Sequence, residues 1–266
     1  MAEDDVKGPG EQIGGEDVKS GYAWIGTNLR QVKYTEVDGH AVVEGCIVLG
    51  TSDQVAEMTA AATQALENGL EPQGVIIENP YYRWPNAIVP YQIREDLPNP
   101  QRVHDAIQHW RDRCDVLTFV ERTPQNAGLY PNYITFRPGA GCSSAVGCQR
   151  GEQFINLGFE CATGNVIHEI GHAVGLWHEQ SREDRDQHIT IVMDKVIPQA
   201  RHNFDQHIRD GVDSGDYNFG SIMHYPRTAF SIDGSETVIP TQEGVEIGQR
   251  EALSDGDIQA VKEMYA

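Results

Sequence analysis

The pattern of apolar and polar positions predicts a small folded unit at the start of the chain. Two runs rich in β-branched residues, Val32–Val37 and Ala41–Leu49, flank the pair Asp38–Gly39, which is typical of a hairpin turn. An Ala-rich stretch, Asp53–Asn68, follows, and Gly69 is placed to end it as a helix. We therefore expect a β-hairpin followed by one helix.

A break in this pattern divides the chain into two parts. The segment Glu71–Gly74 predicts an exposed linker, because its proline and its glycine interrupt regular structure. A second, larger body begins near Val75. We therefore expect two units, residues 1–74 and residues 75–266.

Helical and β-like patterns alternate in the second body. Asn99 as cap and Pro100 at the first helical position predict a helix, and a second helix is predicted from Thr163, as its cap, to about Leu176. Short β-like runs lie between the two helices, at Leu117–Glu121, Tyr133–Phe136 and Gln153–Leu157. The pattern indicates an α+β fold in which strands precede the second helix.

That second helix carries the candidate chemistry. His168 and His172 are four positions apart, so both imidazoles lie on one helix face and can reach one metal ion. Glu169 is close enough to take a proton from a metal-bound water. Gly175 can adopt a positive φ that turns the chain, so that His178 supplies a third nitrogen. Three protein ligands and one open position are typical of a catalytic zinc site with one Zn²⁺ ion.

A distant segment supports this interpretation. The turn Ser221–Tyr225 (SIMHY) contains a methionine, and such a turn downstream of HExxHxxGxxH is the metzincin signature. A bare HExxH match also occurs by chance, often as a surface salt-bridging pair. The added glycine, the third histidine and the SIMHY turn together argue against a chance match.

On these residues the chain resembles the astacin family, and specifically its bacterial members. The resemblance rests on His168–Arg182 (HEIGHAVGLWHEQSR) and the SIMHY turn, and it extends from Trp84–Asn86 through residues 119–122 (FVER) to Ile247–Arg250 (IGQR). It implies a metzincin-like catalytic domain of two subdomains with an active-site cleft between them. It also implies a zinc-dependent endopeptidase that acts on protein or peptide substrates.

The resemblance assigns a role to each residue of the motif. His168, His172 and His178 would bind zinc, and Glu169 would act as general base and then as general acid. Tyr225 would bind zinc at rest and support the oxyanion during turnover.

The same resemblance predicts a latent form. Residues 1–74 would be an inhibitory prosegment, and an activating protease would cut the chain near Val75. The new α-amino group would then enter the domain and meet Glu179. Independently of latency, the resemblance implies that Met223 forms an apolar floor beneath the metal.

The chain has five cysteines, so at least one thiol stays outside intramolecular pairing. The resemblance implies a disulfide between Cys142 and Cys161, which requires an oxidising compartment, and we therefore expect a secreted protein. Cys114 and Cys148 either form a substitute bridge or remain two free buried thiols.

Cys46 departs from the family pattern. Prosegments of the family share a FEGD motif whose aspartate ligates the zinc, and the corresponding run here is Val43–Ile47 (VEGCI), with cysteine at the aspartate position. Thiolate is a better zinc ligand than carboxylate. We therefore interpret Cys46 as a fourth ligand in the latent form; the alternatives are a packed strand residue or a disulfide to Cys148 or Cys114.

Charge and hydropathy narrow the set of partners. The chain has 40 acidic and 20 basic residues, a net charge of −20, which argues against nucleic acid or an anionic membrane as partner. No stretch approaches the roughly 18 apolar residues of a membrane-spanning helix. Residues Met1–Gly10 are too acidic and polar for a signal peptide, and we expect the signal to have been removed. We also expect the protein to be a monomer.

Two other functions stay open on the sequence alone. One is a different zincin peptidase with a narrow substrate. The other is a zinc-binding module without catalysis that recognises protein or peptide. Loss of Glu169 or of one ligand would indicate such a module, and the sequence keeps all of them.

Overall fold

The structure is a computed structural model that describes residues 17–25, 28–67, 82–206 and 213–266. Nine strands of these residues form one mixed sheet in the order β1-β2-β3-β4-β8-β9-β7-β5-β6. They are β1 (Lys19–Ile25), β2 (Asn28–Val37), β3 (His40–Val43), β4 (Ile47–Thr51), β5 (Ile88–Ile93), β6 (Thr118–Glu121), β7 (Tyr133–Pro138), β8 (Cys142–Ser144) and β9 (Glu152–Leu157). A separate antiparallel pair consists of β10 (Ile189–Ile191) and β11 (Val238–Pro240).

Four α-helices accompany the strands in the described ranges. They are α1 (Ser52–Glu67), α2 (Gln101–Arg113), α3 (Thr163–Val174) and α4 (Asp255–Tyr265). The helix α3 is buried from Gly164 to Val174, so its polar side chains face the interior of the protein. None of these helices has both the length and the apolar character that crossing a membrane requires.

The structure confirms the predicted hairpin in the N-terminal unit, the described residues 17–25 and 28–67. The second strand of the hairpin differs from the prediction. Asp38 and Gly39 connect β2 to β3 with φ angles of 49° and 75°. The run Ala41–Leu49 is not one strand, as predicted, because Glu44 and Gly45 form a second turn at φ 47° and 71° that separates β3 from β4. Strand β1 was not predicted.

The helix α1 confirms the predicted Ala-rich helix, which starts one residue earlier than expected. Gly69, the linker Glu71–Gly74 and Val75 lie outside the described residues.

Two predicted helix starts in the second body need correction. The helix α2 begins at Gln101 after Pro100, whereas Asn99 has a φ of 48° and is not the cap. The cap of α3 is Ala162 rather than Thr163, and the Ala162 N–H donates to Asn165 Oδ1 at 2.9 Å. The three predicted β-like runs are confirmed as β6, β7 and β9.

Buried apolar side chains form three clusters in the described part of the chain. The largest includes α3 and Met223, the second includes Tyr225, and the third belongs to the N-terminal unit and includes Cys46. The first two clusters correspond to the two subdomains that were expected. His168 and His172 of α3 lie against Cys46 of the third cluster.

The sheet is continuous between the N-terminal unit and the second body. Strand β4 runs parallel to β8, with Ile47 opposite Ser144. The Ser144 N–H donates to the Cys46 carbonyl at 3.0 Å, which fixes Cys46 at the start of β4. The N-terminal unit therefore covers an edge that β8 would otherwise expose.

Candidate metal centre

Four buried side chains converge at the residue that precedes β4. The Cys46 Sγ lies 3.7 Å from Nε2 of His168 and 3.4 Å from Nε2 of both His172 and His178. The Nε2 atoms of His168 and His178 are 3.3 Å apart. One donor atom from each of the four residues lies within 4.8 Å of the others.

The backbone explains how three histidines from one stretch meet. His168 and His172 lie one turn apart on α3, as their spacing predicted. Gly175 ends the helix at a φ of 120°, a region that favours glycine, and the Leu176 N–H donates back to the Gly171 carbonyl. The chain then turns and brings His178 back toward the helix.

The outer nitrogens of the three rings all face hydrogen-bond acceptors. Nδ1 of His168 lies 2.8 Å from the Ile222 carbonyl, and Nδ1 of His172 lies 2.8 Å from the Leu176 carbonyl. A carbonyl oxygen can only accept, so Nδ1 carries the proton and Nε2 presents a lone pair to the centre. Burial lowers the pKa of both rings well below its usual value, which keeps them neutral.

This arrangement fits a zinc ion. Zn–N bonds of about 2.0–2.1 Å and a Zn–S bond of about 2.3 Å at tetrahedral angles imply N···N near ~3.3 Å and S···N near ~3.6 Å. The observed separations of 3.3 Å and of 3.4–3.7 Å agree with these values. Three neutral imidazoles and one thiol, all buried, are a donor set that zinc prefers.

The ring of His178 has a different outer partner. Its Nδ1 lies 2.6 Å from the Glu44 carboxylate, which is 3% exposed. Glu44 belongs to the N-terminal unit and was not singled out by the sequence, although its place two residues before Cys46 was visible. Only the chain reversal at Glu44 and Gly45 brings it to this ring.

The two predicted catalytic residues adjoin the cluster. Glu169 is 2% exposed and follows His168 on α3. The Tyr225 ring lies 4.8 Å from the His178 ring, centroid to centroid. Its hydroxyl donates to the Glu44 carbonyl at 2.7 Å, so Glu44 contacts both Tyr225 and His178.

Met223 packs against α3 at Gly171; its predicted place as an apolar floor beneath the metal stays a prediction. Its side chain is buried, and a Cβ added at Gly171 would lie 2.8 Å from its sulfur. A side chain at this helix position would require the Met223 side chain to move. This close contact was not predicted, because it depends on a partner 52 positions away in the sequence.

Glu179 follows His178 in the sequence, and a backbone N–H group binds its side chain. Its carboxylate accepts a hydrogen bond from the Asn218 N–H at 2.7 Å and lies 3.7 Å from Arg182. Burial raises the pKa of Glu179 to about 7. The predicted contact with a free N-terminus involves residues outside those described.

Asp257, at the first turn of α4, was also missed. Its carboxylate accepts hydrogen bonds from the Ser221 hydroxyl and the Ile222 N–H, at 2.5 and 3.1 Å, and from Ser254. The pair Ser254 and Asp257 has the spacing of a capping box, which signals a helix start but not this second role. Asp257 thus fixes the turn whose Ile222 carbonyl orients His168.

The cysteines resolve two of the alternatives left open by the sequence. Cys142 and Cys161 form a disulfide, as predicted. Cys114 and Cys148 are free and buried, so the substitute bridge between them is not formed. Cys46 forms no disulfide either, which removes the alternative of a bridge to one of them.

Comparison with known proteins agrees with this geometry. A family model described as Astacin, a peptidase family, matches residues 76–266. The zinc metalloproteinase nas-13 of Caenorhabditis elegans is 37% identical over 194 residues, which cover 71% of this chain and 42% of that protein. Human tolloid-like protein 2 is 40% identical over 193 residues, which cover 68% of this chain and 18% of that protein. The chain thus spans less than half the length of these curated relatives.

A solved structure shows a similar fold. High choriolytic enzyme 1, a hatching enzyme zinc-protease from Oryzias latipes, superposes with a TM-score of 0.61 at 30% sequence identity. The match covers 69% of this chain and 92% of that one.

Proposed function

This chain belongs to the astacin family of peptidases, and on that premise we propose that it is a zinc-dependent endopeptidase held latent by its own N-terminal unit. Residues 1–74 are the inhibitory prosegment and residues 75–266 are the catalytic domain in this proposal. The match of the family model to residues 76–266 supports the boundary.

One observation carries the proposal of latency. The Cys46 sulfur lies within 3.7 Å of three histidine nitrogens, at the distance and in the place of a fourth metal donor. With a thiolate in that place, no coordination position is left for the water that hydrolysis needs. Cys46 therefore acts as a latch.

The proposed chemistry divides among a few residues. His168, His172 and His178 hold the zinc, which when bound polarises the scissile carbonyl and lowers the pKa of a coordinated water. Glu169 accepts a proton from the attacking water and passes it to the leaving amine. The Tyr225 hydroxyl, which donates to Glu44 in the latent form, becomes available to donate to the developing oxyanion.

Activation is proposed to occur by proteolysis near Val75. Removal of residues 1–74 takes Cys46, Glu44 and β4 away from the centre. The new α-amino group would meet Glu179, whose carboxylate is 14% exposed and has Arg182 as its close cationic partner among the described residues. The Cys142–Cys161 disulfide supports a secreted protein, and we propose a monomer that acts on protein or peptide substrates.

Digestion of casein before and after proteolytic trimming tests the peptidase function. The intact chain should leave casein uncut, and the trimmed chain, once its new N-terminus has been sequenced, should digest it. A trimmed, folded, zinc-loaded chain that leaves casein and elastin intact would instead indicate a zinc-binding module without catalysis.

Zinc X-ray absorption spectroscopy of the intact chain tests the latch. The expected spectrum has one sulfur at about 2.3 Å and three nitrogens at about 2.0–2.1 Å. Cys46→Ser should replace the sulfur by a lighter atom. A spectrum of the parent chain without sulfur would remove the latch from the proposal.

A further inference from the structure

The three imidazoles of the centre are oriented by unlike groups. Neutral backbone carbonyls of the second body accept from His168 and His172. A carboxylate of the N-terminal unit, that of Glu44, faces Nδ1 of His178 at 2.6 Å. The third ring is therefore the one whose orientation depends on a segment that activation would remove.

A carboxylate partner changes the electronic properties of a histidine ring more than a neutral carbonyl partner does. Both fix the proton on Nδ1, but the negative charge also polarises the ring and raises the basicity of Nε2, the atom that binds metal. The pair is buried, with side-chain exposures of 0% for His178 and 3% for Glu44, so water does not weaken the interaction.

The backbone at Glu44 is shaped for this contact. Glu44 has a φ of 47°, a left-handed conformation that is unfavourable for a residue with a side chain. Two contacts offset that cost, because the Glu44 carbonyl accepts from the Tyr225 hydroxyl while its carboxylate faces His178. The same turn places Cys46 against all three rings, so one turn delivers two groups to the centre.

We propose that Glu44 is a positioning residue for the metal: through His178 it tightens the hold of the latent chain on zinc, independently of the sulfur of Cys46. This inference rests on the zinc site proposed above. It implies that loss of the N-terminal unit opens a coordination position and also loosens one of the three remaining ligands. The N-terminal unit would then favour metal loading as well as block catalysis.

Zinc transfer from the full-length, zinc-loaded chain to a chromophoric chelator tests the proposal. Glu44→Gln keeps the size of the side chain and removes its charge, and it should weaken zinc binding by about tenfold, at the lower end of the about 10–100-fold typical of such outer partners. Glu36→Gln is the matched control, because Glu36 is an exposed glutamate of the same unit, paired with Lys19 and not with a histidine. The control should retain zinc like the parent chain.

Nuclear magnetic resonance of chains labelled with nitrogen-15 at histidine distinguishes two roles of Glu44. Glu44 either orients and polarises His178, or it only helps to hold the N-terminal unit against the second body. In the parent chain the Nδ1 proton of His178 should resonate far downfield, and Glu44→Gln should move it upfield while the signals of His168 and His172 stay in place. Weaker zinc binding with an unchanged His178 signal would show that Glu44 only seats the unit and would overturn the proposal. Unchanged zinc binding would overturn it as well.

Testing Glu44→Gln in a chain that also carries Cys46→Ser distinguishes the effect of Glu44 from that of the proposed Cys46 latch. The double variant Cys46→Ser/Glu44→Gln should lose zinc faster than Cys46→Ser by the same factor that separates Glu44→Gln from the parent. If the latch is wrong, Cys46→Ser will not change zinc retention, yet the effect of Glu44→Gln will persist. If Glu44 acts only through the placement of the sulfur, the double variant will match Cys46→Ser, and the proposal fails.

Discussion

Glu169, the proposed general base, shows how much the behaviour of one side chain depends on its neighbours. It lies on a helix that is buried from Gly164 to Val174, beside His168, and it is 2% exposed. A carboxylate in such a place is costly unless it interacts with positive charge, and a zinc ion at the adjoining centre provides that charge. In the proposed site the three histidines would hold the metal without a bond from Glu169.

Glu169→Gln should therefore separate metal binding from catalysis. In the trimmed chain we expect zinc to remain stoichiometric by metal analysis, while casein hydrolysis falls by at least about 10²–10⁴-fold, the usual contribution of a general base. Glu160→Gln, an exposed glutamate before Cys161, serves as control and should leave both quantities unchanged. Retained turnover in Glu169→Gln would discard the proposed proton transfer.

His224, in the SIMHY turn, gives the protein a pH dependence of stability. Its ring lies between the Tyr217 hydroxyl and the Tyr225 carbonyl, at 2.8 and 2.7 Å, and burial lowers its pKa to about 4. In the unfolded chain the histidine pKa is about 6.5. Between these values the unfolded state binds a proton that the folded state does not, so stability falls as the pH falls from about 6.5 to about 4, by about 3 kcal/mol in total.

Urea denaturation at about pH 7 and at about pH 5, on either side of the upper end of that range, checks this prediction. The parent chain should lose stability between the two values, and His224→Gln should lose less. The control His104→Gln removes an exposed histidine of α2 and should keep the slope of the parent. Equal slopes in the parent and in His224→Gln would contradict the assignment.

At the scale of elements, α4 supports the metal centre from a distance. Asp257 in its first turn holds the SIMHY turn through the Ser221 hydroxyl and the Ile222 N–H, and the Ile222 carbonyl orients the His168 ring. The carboxylate is buried and its hydrogen bonds are charge-assisted, so each contributes more than a neutral bond.

Asp257→Asn should lower both stability and zinc affinity. We expect a loss of about 2–3 kcal/mol in the free energy of unfolding, because an amide cannot accept all of these bonds, and faster zinc transfer to a chelator. Asp255→Asn changes an exposed residue of the same helix turn and is the control. A variant that is destabilised but keeps the zinc affinity of the parent would limit Asp257 to a role in folding.

The sequence predicted the elements that depend on neighbouring residues and missed those that depend on residues far along the chain. The helix α3 and its histidine spacing are local, and Gly175 marks its end, so the sequence predicted both. Strand β8 has three residues and exists through pairing with β9 and β4, which periodicity does not detect. The turn at Glu44 and Gly45 was missed because β-prone residues flank it on both sides and together predict one run, although Gly45 interrupts them. The reversal is stabilised by Tyr225 and His178 far along the chain.

At the scale of the whole molecule, the sheet joins two parts that the sequence treats as separate. Strands β1–β4 continue the sheet of the second body through the pair Ile47 and Ser144, 97 positions apart. Resemblance to a family suggested that residues near Cys46 would reach the zinc helix, but no pattern within the sequence indicates which edge they cover. On the proposed function, latency would therefore be a property of the assembled sheet as well as of one thiol.

This distinction leads to a prediction for the intact chain that lacks the thiol. In Cys46→Ser, β4 still pairs with β8 and the Tyr225 hydroxyl still donates to Glu44, so the cleft stays covered even though the sulfur is gone. We expect the intact variant to digest casein at only a small fraction of the rate of the trimmed parent chain, and trimming to raise it to the full rate. Cys114→Ser, which removes a buried thiol elsewhere, should leave the intact chain inactive. Full activity of intact Cys46→Ser would show that the sulfur alone maintains latency and that the strand pairing contributes nothing to it.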